Sequence, residues 1–123
     1  MNNRSVILPI KPQFADKIFT QTKKYEYRKT IFGSDVKKVY VYATRPISRI
    51  IGYFIIDEIL QGSPSAIWGK TSEGSGITKE YFDDYFLGHD TAYAIRIKSP
   101  KLLDSPFEIK DFRPPQNFIY YKE

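Results

Sequence analysis

Hydrophobic and polar positions divide this chain into short segments of two different periods. Ser5-Val6-Ile7-Leu8-Pro9-Ile10 reads as a strand. Lys11-Pro12 then opens a short helix that runs to about Gln21-Thr22, with Phe14, Ile18 and Phe19 as its apolar stripe. The run Lys23-Lys24-Tyr25-Glu26-Tyr27-Arg28-Lys29 alternates like a strand. Period-two geometry places Lys24, Glu26 and Arg28 on one face and Tyr25 and Tyr27 on the other. Phe32-Gly33-Ser34-Asp35 is a turn. From Lys37 to Thr44, Val39, Val41 and Ala43 alternate with Tyr40 and Tyr42 as in a strand. Arg45-Pro46 breaks it.

The second half starts with a nearly continuous apolar run from Ile50 to Leu60. It fits a central strand crossing a closed sheet, with Gly52 allowing a bend or bulge. Ser63 and Thr78 are expected caps of two helices. The first carries Pro64, Ile67 and Trp68; the second carries the stripe Tyr81, Phe82, Tyr85, Phe86. Glu73-Gly74-Ser75-Gly76 between them reads as a flexible loop. Thr91 to Lys98 is a strand, Pro100 and Pro106 bracket a loop, and Phe107-Glu108-Ile109 is a further short strand. Five or six strands and about three short helices, not in strict alternation, argue against a doubly wound parallel sheet. They predict an α+β fold: a small, mostly antiparallel β-barrel with flanking helices, in a single domain over residues 1–123.

Charge adds a direction. The formal net charge is +5, but residues 1–50 carry eleven Lys/Arg against three Asp/Glu, and residues 51–123 carry eight against eleven. A basic first part favours a polyanionic partner, most simply nucleic acid. The absence of cysteine excludes disulfides, thiolate catalysis and cysteine-ligated zinc, and a lone His89 excludes a multi-histidine metal site. No cofactor is expected. No apolar run approaches twenty residues and no signal-peptide core opens the chain, so a cytoplasmic protein without a membrane partner is expected. The oligomeric state stays open.

The order of the segments then carries a resemblance. Ile10-Lys11-Pro12, Phe14-Ala15-Asp16-Lys17-Ile18 and Lys23-x-x-Glu26-x-Arg28 resemble the ASCH domain family of the PUA-like superfamily. Tyr42-Ala43-Thr44-x-Pro46, Gly52, Trp68, Ser75-Gly76-Ile77, Tyr81-Phe82-x-x-Tyr85-Phe86, Ala92-Tyr93-Ala94-Ile95 and Pro114-Pro115-Gln116-x-Phe118 follow in the family's order, so the likeness covers nearly the whole chain. The resemblance implies a PUA-like barrel with a cleft beside the first helix, RNA or a nucleotide-like small molecule as ligand, and roles in transcription coactivation or RNA processing. One branch hydrolyses acetylated cytidine nucleosides with a lysine, a threonine and a glutamate.

Carried over by position, Lys23 stands on the lysine of that motif, with Lys24 one place away as the alternative. Glu73 stands where that branch has its glutamate. Glu26 stands where it has threonine, which removes its nucleophile. Glu26 can accept from a base N–H, and Arg28 can donate a fork to a carbonyl or phosphate. Lys11 at the helix start is a candidate for phosphate. Thr44, Tyr93 and Gln116 are further cleft candidates. For each there is a plainer account. Lys24, Glu26 and Arg28 are also a surface charge ladder contributing about 0–1 kcal/mol per pair; Lys11 and Glu73 are also ordinary exposed residues. The interleaved Tyr25, Tyr27, Tyr40 and Tyr42 suit base stacking, but also barrel packing.

Three functions remain distinct. The first is a nucleic-acid-binding module using Lys11, Lys23, Lys24, Glu26, Arg28, Thr44, Tyr93 and Gln116. The second is a small hydrolase of acetylated cytidine nucleosides or of RNA, using Lys23, Glu26 and Glu73. The third is a regulatory domain that binds a protein or metabolite. Binding is preferred over catalysis because of Glu26.

Overall fold

The computed structural model describes residues 3–109 and 117–122. Six strands form one sheet in the order β2-β5-β4-β3-β1-β6. They are β1 (Arg4–Ile10), β2 (Tyr25–Arg28), β3 (Val36–Ala43), β4 (Arg49–Gly62), β5 (Ala92–Phe107) and β6 (Ile119–Tyr121). Three helices flank it: α1 (Pro12–Phe19), α2 (Pro64–Thr71) and α3 (Lys79–Phe86). The fold is α+β, as the pattern predicts. Only β1 and β3 run parallel; every other strand pair is antiparallel.

The barrel is loose rather than closed. β2 and β6 stand at the two ends of the sheet and do not pair. A side chain spans the gap instead. Arg28 on β2 donates from Nη2 to the Asn117 carbonyl, just before β6, at 2.8 Å, and over a long 3.5 Å from Nη1 to the Pro9 carbonyl on β1.

Helix boundaries follow local chemistry. Ser63 Oγ accepts from the Ala66 N–H, and Thr78 Oγ1 accepts from the Tyr81 N–H, so both expected caps are made. α1 starts at Pro12, whose missing N–H costs nothing in a first turn. It ends where Gln21 takes a left-handed φ of 65°, while the Thr22 and Lys23 N–H groups donate back to the Lys17 carbonyl. This turn fixes the direction in which Lys23 leaves the helix.

The main core lies between α1 and the sheet: Ala15 and Ile18, three apart, meet Val6, Leu8, Val39, Val41, Phe54 and Ile95. A second cluster holds α2 and α3 on β2 and β5 through Ile67, Phe82, Phe86, Ala92, Ala94 and Tyr27. Tyr27 meets Phe82 edge-on at 5.1 Å. The opposite sheet face buries Ile7, Tyr40, Tyr42 and Ile50. These two tyrosines therefore pack inside the protein rather than stand ready for stacking.

Two expectations are corrected. Residues 91–109 are not two strands around a proline loop; β5 continues through Pro100 and Pro106. β2 covers only Tyr93–Arg96, so beyond that point β5 has a single neighbour, β4, and proline costs no ladder bond on the open side. Register shifts against β4 absorb the irregularity. Nor is the Glu73–Gly76 segment a loose loop. It is a 3-10 turn, Ser72–Gly74, followed by a buried Ser75, packed on Lys23 and Lys24.

Candidate functional site

A half-open cavity of about 360 Å³ lies at the free edge of β2, bounded by the end of β1, the start of α1, the Ser75–Ile77 segment and α3. This is the small end of ligand-pocket volumes. Its polar lining is Lys11, Lys23, Glu26, Arg28 and Thr44. Its walls are Phe14, Tyr27, Ile77, Tyr81 and Tyr85.

The floor is formed by charge taken almost out of water. Lys23, Glu26 and Arg28 are 2%, 7% and 8% exposed. Buried charges of this kind persist only when paired or hydrogen-bonded. Lys23 Nζ donates to the Ser75 carbonyl at 2.7 Å and stands over the rings of Tyr27 at 5.0 Å and Phe14 at 5.5 Å. Burial pushes its pKa down; the nearby Glu26 carboxylate pulls it back up, and Lys17 adds a smaller downward push. Gly76 makes this burial feasible. At φ +68° it lies so close to Lys23 that an added Cβ would come within 2.5 Å of the lysine Cβ. Glu26 Oε2 meets Arg28 Nη1 at 3.4 Å, a long contact. Among the described residues, its other carboxylate oxygen has no hydrogen-bond partner, which leaves it available to a donor in the cavity.

The aromatic walls come from both periods of the sequence. On α3 the expected stripe splits in two. Phe82 and Phe86, four apart, enter the core, while Tyr81 and Tyr85 face the cavity. Tyrosine suits a half-buried wall because its ring is apolar and its hydroxyl can stay wet. Lys11 Nζ lies 5.4 Å over Tyr81, and Lys29 Nζ lies 4.5 Å over Tyr85. Burial raises the pKa of Tyr85, and burial raises that of Tyr27 to about 12 against the lowering effect of its hydrogen bond to Thr71.

Of the sequence candidates, the fold brings Lys11, Lys23, Glu26, Arg28 and Thr44 to this one cavity. It takes Lys24 elsewhere. Lys24 precedes β2; its N–H donates to the Gly74 carbonyl and its own carbonyl accepts from the Ile97 N–H. Its exposed side chain lines a separate groove with Tyr25, Lys70, Glu73 and Arg96. The expected single face of Lys24, Glu26 and Arg28 is therefore broken at Lys24, while Tyr25 and Tyr27, two apart on β2, pack against one apolar cluster as expected. Glu73 is exposed on that groove and does not share a site with Lys23. Tyr93 pairs with Arg28 across the β2–β5 ladder, but the cavity draws no residue from β5. Gln116 lies outside the described residues. The walls Phe14, Ile77, Tyr81 and Tyr85 were not singled out from the sequence as site residues. The alternation of tyrosine and phenylalanine within the α3 stripe was the available signal.

No group of carboxylate and imidazole side chains that could hold a metal occurs among the described residues. Among them, no helix is long and apolar enough to cross a membrane.

No family model matches the chain. It is 26% identical over 129 residues to the ASCH domain-containing ribonuclease of Zymomonas mobilis, covering 99% of this chain and 87% of that protein. It is 29% identical over 122 residues to the large ribosomal subunit protein uL22 of Ureaplasma parvum serovar 3, covering 96% of this chain but only 39% of that protein. A crystal structure of ASCH from Zymomonas mobilis superposes with a TM-score of 0.90 at 23% identity, over 99% of this chain and 90% of that one. That likeness gives the fold: PUA-like, with the open sheet described above.

Proposed function

We propose that this chain, similar over nearly its whole length to an ASCH domain-containing ribonuclease, is an ASCH module whose cavity binds single-stranded RNA by taking in one base. The observation that carries this reading is a buried floor of Lys23, Glu26 and Arg28 under aromatic walls. Unpaired bases are recognised in this way, by stacking on aromatic rings and hydrogen bonds to the base edge. Lys11 on the rim, in the basic first part of the chain, then meets the backbone phosphate. The full-length likeness to a protein named a ribonuclease supports RNA as the polymer.

Fluorescence anisotropy with labelled single-stranded RNA tests this. Binding is expected at low salt, weakening linearly in log–log form as salt rises. Lys23→Met and Lys11→Ala should both weaken it. An RNA series that gives no anisotropy change at low salt removes the proposal.

A second reading is cleavage of the bound RNA. It is favoured by the relative's name and by the lowered pKa of Lys23 beside a carboxylate. A lysine whose pKa is lowered by burial can act as a base. It would take the proton of a ribose 2′-hydroxyl as that oxygen attacks the adjacent phosphorus. The 5′ oxygen leaves and is protonated by water, and a 2′,3′-cyclic phosphate remains. Incubation with RNA followed by a denaturing gel and end-group assay decides it. Intact RNA over hours, with binding retained, leaves recognition as the function. Acetylated cytidine in the same assay tests the amidohydrolase alternative, which lacks its threonine because Glu26 stands there.

A further inference from the structure

Two lysines stand on the α3 wall of the cavity. Tyr81 and Tyr85 are four residues apart on α3, about 6 Å along the helix axis. Each ring holds a lysine of its own. Lys11 Nζ is 5.4 Å from the centre of Tyr81, and Lys29 Nζ is 4.5 Å from the centre of Tyr85. They reach α3 from different segments, Lys11 from between β1 and α1, Lys29 from the bend that follows β2. Lys11 also lines the cavity, whereas Lys29 stands over the ring of Tyr85, which does.

Neither lysine has an acidic partner among the described residues. Elsewhere on the molecule Arg4, Arg49, Lys79 and Arg96 each meet a carboxylate, and the cavity's own carboxylate, Glu26, meets Arg28. A ring face attracts an ammonium without neutralising it. Its N–H donors therefore remain for an anion. Lys29 is also half-buried, while Lys24, on the other groove, is exposed. Its ammonium is held beside an aromatic wall of the cavity with its charge unspent.

We infer that Lys29 is a second phosphate-binding residue, so that the strand is gripped at two phosphates, by Lys11 at Tyr81 and by Lys29 at Tyr85, while one base enters the cavity. The inference rests on the proposal that the cavity holds an RNA base. It makes the preferred ligand a strand rather than a free nucleoside or a nucleoside monophosphate, because only a strand or a bisphosphate brings two phosphates to one base. The plainer role for Lys29 is to cover the Tyr85 ring. Methionine would do that equally well, since it keeps an apolar stem and loses only the charge.

The test is the salt dependence of anisotropy with a labelled single-stranded RNA octamer of mixed sequence. Each phosphate contact on a single strand adds about 0.7 to the slope of log affinity against log salt, so two contacts require a parent slope of at least about 1.4. Lys29→Met and Lys11→Met should each make the slope shallower by about 0.7, and the double variant by about 1.4. At about 50 mM salt each single variant should then bind about eightfold more weakly, with the difference vanishing on extrapolation to about 1 M. Lys29→Arg should keep the parent slope, and so should Lys24→Met. A parent slope of about 0.7 or less overturns the inference on the unmodified protein, whatever the variants do. So does an unchanged slope in Lys29→Met, or an equal loss of slope in Lys24→Met; each of these leaves RNA binding standing. No binding of the octamer by the parent at low salt overturns both readings.

Discussion

Lys23 and Lys24 are neighbours in the chain, yet they serve two different cavities. Lys23 is buried against two rings and a carbonyl, beside Glu26. Lys24 is exposed on a groove where Lys70, Glu73 and Arg96 are also found. Arg96 there is already engaged by Glu58 at 2.8 Å and by the Tyr25 hydroxyl. The residue types are alike on the two sides. What differs is water. Charges in the first cavity are desolvated and held by short-range partners, so a ligand meets a prearranged pattern. Those in the groove are solvated and screened, and their interactions contribute little.

The largest expected effect comes from removing the geometry that buries Lys23. Gly76→Ala places a Cβ against Lys23 and forces a left-handed backbone on a residue with a side chain. A loss of about 3 kcal/mol in denaturant unfolding is expected, together with loss of RNA binding. Next is charge removal on each side of the comparison. Lys23→Met should weaken RNA binding roughly 10- to 100-fold, the size of a charged hydrogen bond, while leaving thermal stability near or above that of the parent. Lys24→Met should change binding by about twofold at most, the scale of an exposed charge. Similar effects of the two substitutions would erase the distinction between the two cavities.

A smaller effect is carried by pH. Because burial lowers the pKa of Lys23, the unfolded chain binds more protons between that lowered value and the ordinary lysine value of about 10.4. The contribution of Lys23 to stability is complete above the ordinary value and is lost as pH falls through the lowered one. Unfolding free energy measured across this window should rise less steeply in Lys23→Met than in the parent, and Lys24→Met should keep the parent slope. The smallest effect is a control. Gly69 on α2 has open space where a Cβ would go, so Gly69→Ala should stabilise by about 0.5–1 kcal/mol. Set beside Gly76→Ala, it separates a glycine required for burial from one that is not.

Legibility in the sequence followed the range of the interactions involved. Helix caps at Ser63 and Thr78 were readable because a side chain meets a backbone N–H three residues away. The helix start at Pro12 and the strands around Val39, Val41 and Phe54 were readable from periodicity. Periodicity failed at Lys24, since the strand begins only at Tyr25 and the phase is set by the left-handed Gln21 and by the bond to Gly74. It failed at Glu73 for a related reason. Glycine and serine read as looseness, while here Gly76 is what lets the segment close over Lys23.

The sequence by itself determined the α+β class, the three helices and the mostly antiparallel sheet, because these depend on residue spacing and local backbone chemistry; Glu26 and Arg28 became candidates through the family resemblance, since spacing alone left them a surface ladder. The tertiary structure alone decided that the barrel stays open, that Arg28 bridges its ends, that Lys23 rather than Lys24 faces the cavity, and that Tyr81 and Tyr85 become its walls. Each of these depends on contacts between segments far apart in the chain, and on burial, which no spacing of residues records.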